Sequence, residues 1–149
     1  MIMSNKYMQI VLNEAKKVEI DIPICALIVK DDEIISIQTN KREKENRTIA
    51  HAEILAIEEA NKKLGSWRLN DCEMYVNLEP CPMCAWAIIN SKIKKLYFAS
   101  LDLKYGGFSS AINLKKLANS KIEIQGGILE EESDKILKQY FENLRKNEK

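Results

Sequence analysis

Along the chain the apolar positions change period from one stretch to the next, and the changes mark out the elements. Over residues 4–17, Tyr7, Met8, Val11, Leu12 and Ala15 recur at helical spacing and form one stripe of an amphipathic helix. Residues 24–29 are an unbroken apolar run, the pattern of a strand covered on both faces, and Asp31-Asp32 after it supplies a turn. Over 33–39, Ile34, Ser36 and Gln38 alternate with Ile35, Ile37 and Thr39, the two-residue period of a second strand closing a hairpin. A polar segment, NKREKENRT, follows. From 51 to 64 the spacing of Ile54, Leu55, Ile57 and Ala60 is helical again, and Gly65 is suited to end it. Residues 73–78 (EMYVNL) read as a strand, and Pro82 opens a helix to about residue 91, because a first helical position needs no N–H donor. Residues 95–99 (KLYFA) and 121–125 (KIEIQ) predict a fourth and a fifth strand. Ile136, Leu137, Tyr140, Phe141 and Leu144 put an apolar face on a final helix, opposite Lys138, Glu142 and Arg145.

Strands separated by helices predict a layered α/β domain with a mixed sheet of about five strands, the hairpin antiparallel and the rest joined by crossovers. At 149 residues and 46% hydrophobic, with no linker or repeat, the chain is expected to form one domain over 1–149. Its 23 basic and 22 acidic side chains nearly cancel, so any contact with nucleic acid must come from local patches. No export signal and no apolar stretch of about 18 residues is visible, so a soluble, cytoplasmic protein without a membrane partner is expected. In that compartment the 4 cysteines read as thiols or metal ligands and not as disulfides.

Two stretches carry the chemistry: Ala50-His51-Ala52-Glu53 and Glu79-Pro80-Cys81-Pro82-Met83-Cys84, each leading into a helix. A helix N-terminus offers unpaired N–H groups and partial positive charge, which favours the thiolate a metal requires. His plus two Cys is a known three-ligand set for catalytic zinc, with the fourth place left for water. His51 is the one histidine in the sequence, which removes Ser/His/Asp triads and two-histidine metal helices from consideration. Glu53 sits too close to His51 in sequence to be needed as another ligand and is better used to move protons. Two readings compete. A redox dithiol would leave His51 and Glu53 without a role, and a structural zinc clip would need Cys25 or Cys72 as fourth ligand.

His-x-Glu followed by Pro-Cys-x-x-Cys is the signature of zinc-dependent nucleobase deaminases. The chain resembles the bacterial tRNA adenosine deaminases of the cytidine/deoxycytidylate deaminase superfamily over nearly its whole length. The resemblance is carried by Ala50-His51-Ala52-Glu53-Ile54, Leu78-Glu79-Pro80-Cys81-Pro82-Met83-Cys84-Ala85 and Ser91-Lys92-Ile93. Asp102-x-Lys104-x-Gly106 and Gly127-Ile128-Leu129 extend it. It implies a three-layer α/β/α cytidine-deaminase-like fold and one Zn2+ per chain on His51, Cys81 and Cys84. It also implies conversion of adenosine to inosine at the wobble position of a tRNA anticodon loop, in a homodimer. Glu53 would take a proton from the attacking water, pass it to the ring nitrogen beside the attacked carbon, and later protonate the departing ammonia. Asn40 matches the asparagine that hydrogen-bonds the target nucleoside, and the backbone around Ala26 and Glu79 would wall the pocket. Asp102 would lie near the substrate backbone. Lys104, Arg145 and Lys146, with Lys41, Arg42, Lys44 and Arg47 of the polar loop, are candidate RNA contacts, and Phe141 is a stacking or packing aromatic.

Departures from that family bear on substrate. Pro23-Ile24-Cys25-Ala26 stands where Pro-Val-Gly-Ala is usual, and the added side chain is expected to narrow the pocket or block a close backbone approach. Arg47-Thr48 replaces an Asp-Pro, and Trp86 and Phe108 occupy places where small side chains are usual. These positions, with the near-neutral charge, keep open a deaminase of free guanine, cytosine or a nucleoside. An inactive zinc-containing RNA-binding protein is a third reading, and Glu53 argues against it, since a binding module has no use for a general base.

Overall fold

The computed structural model describes residues 3–147. Its elements run α1 (Met3–Ala15), β1 (Cys25–Lys30), β2 (Glu33–Thr39), α2 (Arg42–Glu45), α3 (Ala52–Leu64), β3 (Cys72–Leu78), α4 (Pro82–Asn90), β4 (Lys95–Ser100), α5 (Leu114–Leu117), β5 (Glu123–Gln125) and α6 (Glu130–Asn147). The long elements fall where the periodicity puts them. Two short helices, α2 and α5, lie in stretches with no periodic signal, because a single helical turn carries too few apolar positions to show one.

The strands pair in the order β2-β1-β3-β4-β5. β1 is antiparallel to both neighbours, while β3, β4 and β5 are parallel. Asp31 and Asp32, at φ 50° and 60°, make the tight connection between β1 and β2, the backbone twist that two-residue hairpins require. Side-chain alternation sorts the two faces of the sheet. Ala26, Ile28, Met74, Val76, Leu96 and Phe98 meet Ala52, Ala56 and Ala60 of α3 and Ala85 and Ile88 of α4. Cys25, Leu27, Val29, Tyr75 and Ala99 meet Tyr7, Met8, Val11 and Leu12 of α1, with Ile128, Leu129 and Ile136 at the start of α6. The result is the three-layer α/β/α arrangement expected. Among the described residues, no helix is long and apolar enough to cross a membrane.

Three features of this scaffold set up the site. β3 and β4 end on the same edge of the sheet where β1 begins, and the loops leaving β2 and β3 enter α3 and α4 there. That is the edge at which parallel strands present ligand sites. Asn77, fully buried on β3, accepts from the Cys25 N–H at 2.8 Å and donates to the Pro23 carbonyl at 2.9 Å. It fixes where β1 starts relative to the Cys81 loop, and both halves of its amide are satisfied.

Candidate active site

His51 is the N-cap residue of α3 and Cys81 the N-cap residue of α4, where Pro82 takes the first helical position. Cys84 follows one turn into α4, so the two thiols stack on one helix face. Cys81 Sγ lies 3.7 Å and Cys84 Sγ 3.5 Å from His51 Nδ1, and the three ligand atoms all fall within 4.8 Å of one another. Such a trio can hold a divalent ion. Cys25 belongs to the core under α1, and Cys72, at the start of β3, belongs to the other core. Neither joins the trio. The donor set is therefore two sulfurs and one imidazole, and the structural clip with a fourth thiol does not form. All 4 cysteines are free.

The electrostatics agree with a thiolate pocket. Cys81 is held down to about 4, first by the hydrogen bond it accepts from the Cys84 thiol and next, against burial, by His51. Cys84 is pushed up because it donates that bond and is buried. One thiolate and one thiol thus share the space, and a cation among them would favour both as thiolates. The His51 pKa is raised, chiefly by its contact with Cys81.

Glu53, in the first turn of α3, is 4% exposed. Burial raises its carboxyl to about 7, so it can hold or release a proton near neutrality. Glu53, His51 and Cys81 open into a cleft of about 1060 Å³ whose walls come from the segment before β1, residues 40 and 42 after β2, the β3 and β4 ends, the 101–105 loop and α6.

Asn40, just past β2, lines this cleft and is buried; among the described residues, its Oδ1 has no hydrogen-bond partner. A buried unpaired acceptor is costly unless something else donates to it, and here a ligand in the cleft can. Asp102, Lys104 and Phe141 also line the cleft. One oxygen of Asp102 is committed to its own loop, accepting from the Lys104 and Tyr105 N–H groups at 3.2 and 3.0 Å. Of the polar-loop cations, Arg42 reaches the wall.

Glu79 lines the cleft, and its carboxylate holds a neighbouring loop. Its buried carboxylate accepts from the N–H groups of Asp102 (3.2 Å), Phe108 (3.3 Å), Ser109 (2.9 Å) and Ser110 (3.1 Å), and from both serine hydroxyls. Burial would raise its pKa, but these donors outweigh burial and hold it low. Gly106 packs so tightly on this carboxylate that a Cβ there would sit 2.4 Å from it, and one at Gly107 would sit 2.8 Å from the Ala85 Cβ. Glu79 therefore clamps the 102–110 loop to the cysteine motif.

Two of the residues expected around the substrate, Ala26 and Arg145, do not line the cleft. Ala26 is paired on both sides within the sheet, and its side chain sits in the core against α3; Ile24 lines the cleft instead. Arg145, exposed near the end of α6, lies one turn beyond the wall, which ends at Phe141. The expected narrowing by Cys25 does not arise, because its side chain faces α1 and not the cleft. Phe108 is buried in the core with α4 and anchors the clamped loop, while Trp86 is 44% exposed on the outer face of α4. Ser100 and Asp134, which neither motif nor period marks, also line the cleft, as does Lys138, which the period shows only as part of the polar face of the last helix.

The sheet order, the three layers and the His/Cys/Cys group beside a buried carboxyl are those of the cytidine-deaminase-like hydrolases. Within that class, the MafB19-like deaminase family matches residues 2–145, and the chain belongs to it. The tRNA-specific adenosine deaminase of Bacillus subtilis (strain 168) is 45% identical over 147 residues, covering 96% of this chain and 91% of the relative. A structure solved in biochemical and structural studies of A-to-I editing by tRNA:A34 deaminases superposes with a TM-score of 0.85 at 34% identity, covering 89% of this chain and 99% of that one. Guanine deaminase from Bacillus subtilis is 37% identical but superposes at a TM-score of 0.61, over 64% of this chain and 63% of that one.

Proposed function

We propose that residues 1–149 act as one deaminase domain, which converts adenosine to inosine at the wobble position of tRNA, with zinc held by His51, Cys81 and Cys84. One observation carries the chemistry: three ligand atoms lie within 4.8 Å of one another, and two of their residues, His51 and Cys81, open with the buried Glu53 into one cleft. The substrate is supported by kinship along nearly the full length of both chains with a tRNA-specific adenosine deaminase. Working on tRNA would place the protein in the cytoplasm.

Zinc bound there supplies a Lewis acid that brings the pKa of a water toward about 7. Glu53 accepts the proton of that water on its carboxylate and delivers it to N1 of adenine, so that oxygen adds at C6 without leaving a full negative charge on the ring. The same carboxyl then carries the proton left on the added oxygen to the amino group, and the C6–N6 bond breaks to release ammonia and leave the C6 carbonyl of inosine. Water and adenosine are consumed; inosine and ammonia result. Asn40 Oδ1 accepts from the bound nucleoside, which satisfies its missing partner. The loop held by Glu79 brings Asp102 and Lys104 over the cleft, and Phe141 offers a face for a base unstacked from the anticodon loop.

A second copy of the chain is the natural cover for the outer face of α4, where Met83 is 37% and Trp86 44% exposed, and sedimentation of the zinc-loaded protein reads this directly. The substrate assignment is tested by incubating zinc-loaded protein with an anticodon stem-loop bearing a wobble adenosine and measuring inosine by mass spectrometry. Inosine is expected. No inosine, together with ammonia release from free guanine or cytidine, would move the protein to the free-base deaminases.

A further inference from the structure

Asp134, Leu137, Lys138 and Phe141 fall at helical spacing on α6, and all four line the cleft. An apolar, a cationic and an aromatic side chain suit a nucleic acid. A carboxylate does not, because facing a polyanion it weakens binding unless it accepts from a donor. Asp134 is also held in place. The buried Ser100 hydroxyl, at the end of β4, donates to Asp134 Oδ1 at 2.6 Å and lies 2.8 Å from Ser133 Oγ. Ser133 in turn donates to the Asn77 carbonyl at 2.7 Å, and the Ser100 carbonyl accepts the Glu79 N–H at 2.8 Å. The carboxylate is thereby tied to the ends of β3 and β4, which also fix Glu79 and Cys81. Among the described residues, no hydrogen bond reaches Asp134 Oδ2.

We infer that Asp134 is a specificity residue whose Oδ2 accepts a hydrogen bond from the nucleotide next to the target adenosine, with Ser100 as its positioning residue. The donor is either that nucleotide's ribose 2′-hydroxyl or the exocyclic amino group of its base. The inference rests on the tRNA reading above. A fixed acceptor discriminates because a substrate without the donor strips water from the carboxylate and returns nothing.

Inosine formation by the zinc-loaded full chain is measured on three versions of one anticodon stem-loop. One is all-ribose, one carries 2′-deoxyribose at the flanking nucleotides, and one carries flanking bases without the amino group. On the all-ribose loop, Asp134→Asn and Asp134→Ala should raise KM about tenfold or more, as loss of a hydrogen bond to a charged acceptor does, with kcat nearly unchanged. Ser100→Ala should shift KM the same way by less. The penalty of Asp134→Asn should vanish on the loop lacking the donor, and which loop that is names the donor. An unchanged KM for both Asp134 variants, or an equal penalty on all three loops, would overturn the inference while leaving the tRNA reading intact. Failure of the wild-type protein to make inosine on any loop would overturn both.

Discussion

Replacing Glu79 by alanine removes the carboxylate that holds the 102–110 loop against the cysteine motif. Four backbone N–H groups lose their acceptor. At about 1.5 kcal/mol for each bond to a charged group the low-end sum is about 6 kcal/mol, but such bonds are not additive. Phe108 is buried, whereas Asp102, Ser109 and Ser110 can turn their N–H groups to water. The expected loss is therefore about 2–4 kcal/mol, which lowers Tm by roughly 5–15 °C in a chain of this size. Thermal unfolding of zinc-loaded protein reads the shift, and limited proteolysis should show new cleavage between residues 102 and 112. The pH dependence follows from the depressed Glu79 pKa. The ionised carboxylate binds better in the folded chain, so its contribution is complete above the unfolded value of about 4.3 and is lost as pH falls through the lower folded value. The gap in Tm between wild type and Glu79→Ala should accordingly be constant from neutrality to about pH 5 and close at lower pH. A variant within about 2 °C of wild type at neutral pH, with no new cleavage, would refute the clamp.

Two further variants separate metal holding from proton transfer. Glu53→Ala should keep one zinc per chain by elemental mass spectrometry while turnover falls at least about hundredfold; loss of metal would mean that Glu53 is a ligand. His51→Ala should lose zinc or bind it much more weakly, and a metal content equal to wild type would remove the imidazole from the ligand set.

Both catalytic stretches were legible because they are local: a ligand at a helix start, a second one turn on, and a carboxyl two residues from the histidine need little knowledge of the rest of the chain. The fold was legible for the same reason, since long elements leave several periods of apolar residues. What the sequence hid depends on contacts between distant segments. Glu79 looks like part of the metal motif, and its role as a clamp shows only when residues 102–110 close over it. Ala26 and Cys25 are neighbours in a strand, so they point to opposite layers, and neither reaches the cleft. Phe141 and Arg145 lie one turn apart on α6, yet the cleft ends between them. Asp134 belongs to no motif; Ser100, 34 positions away, is what gives it a fixed direction.

The proposed ligands His51, Cys81 and Cys84, with Glu53, all lie within the first 84 residues, yet one wall of the cleft is α6, Glu130–Asn147. A chain emerging from the ribosome in N-to-C order can thus gather its metal-binding trio well before it has anything to close the substrate chamber. Proteolysis in the 126–129 connection should create the same unfinished state in a mature molecule: the proposed ion-holding trio with one side of its chamber open.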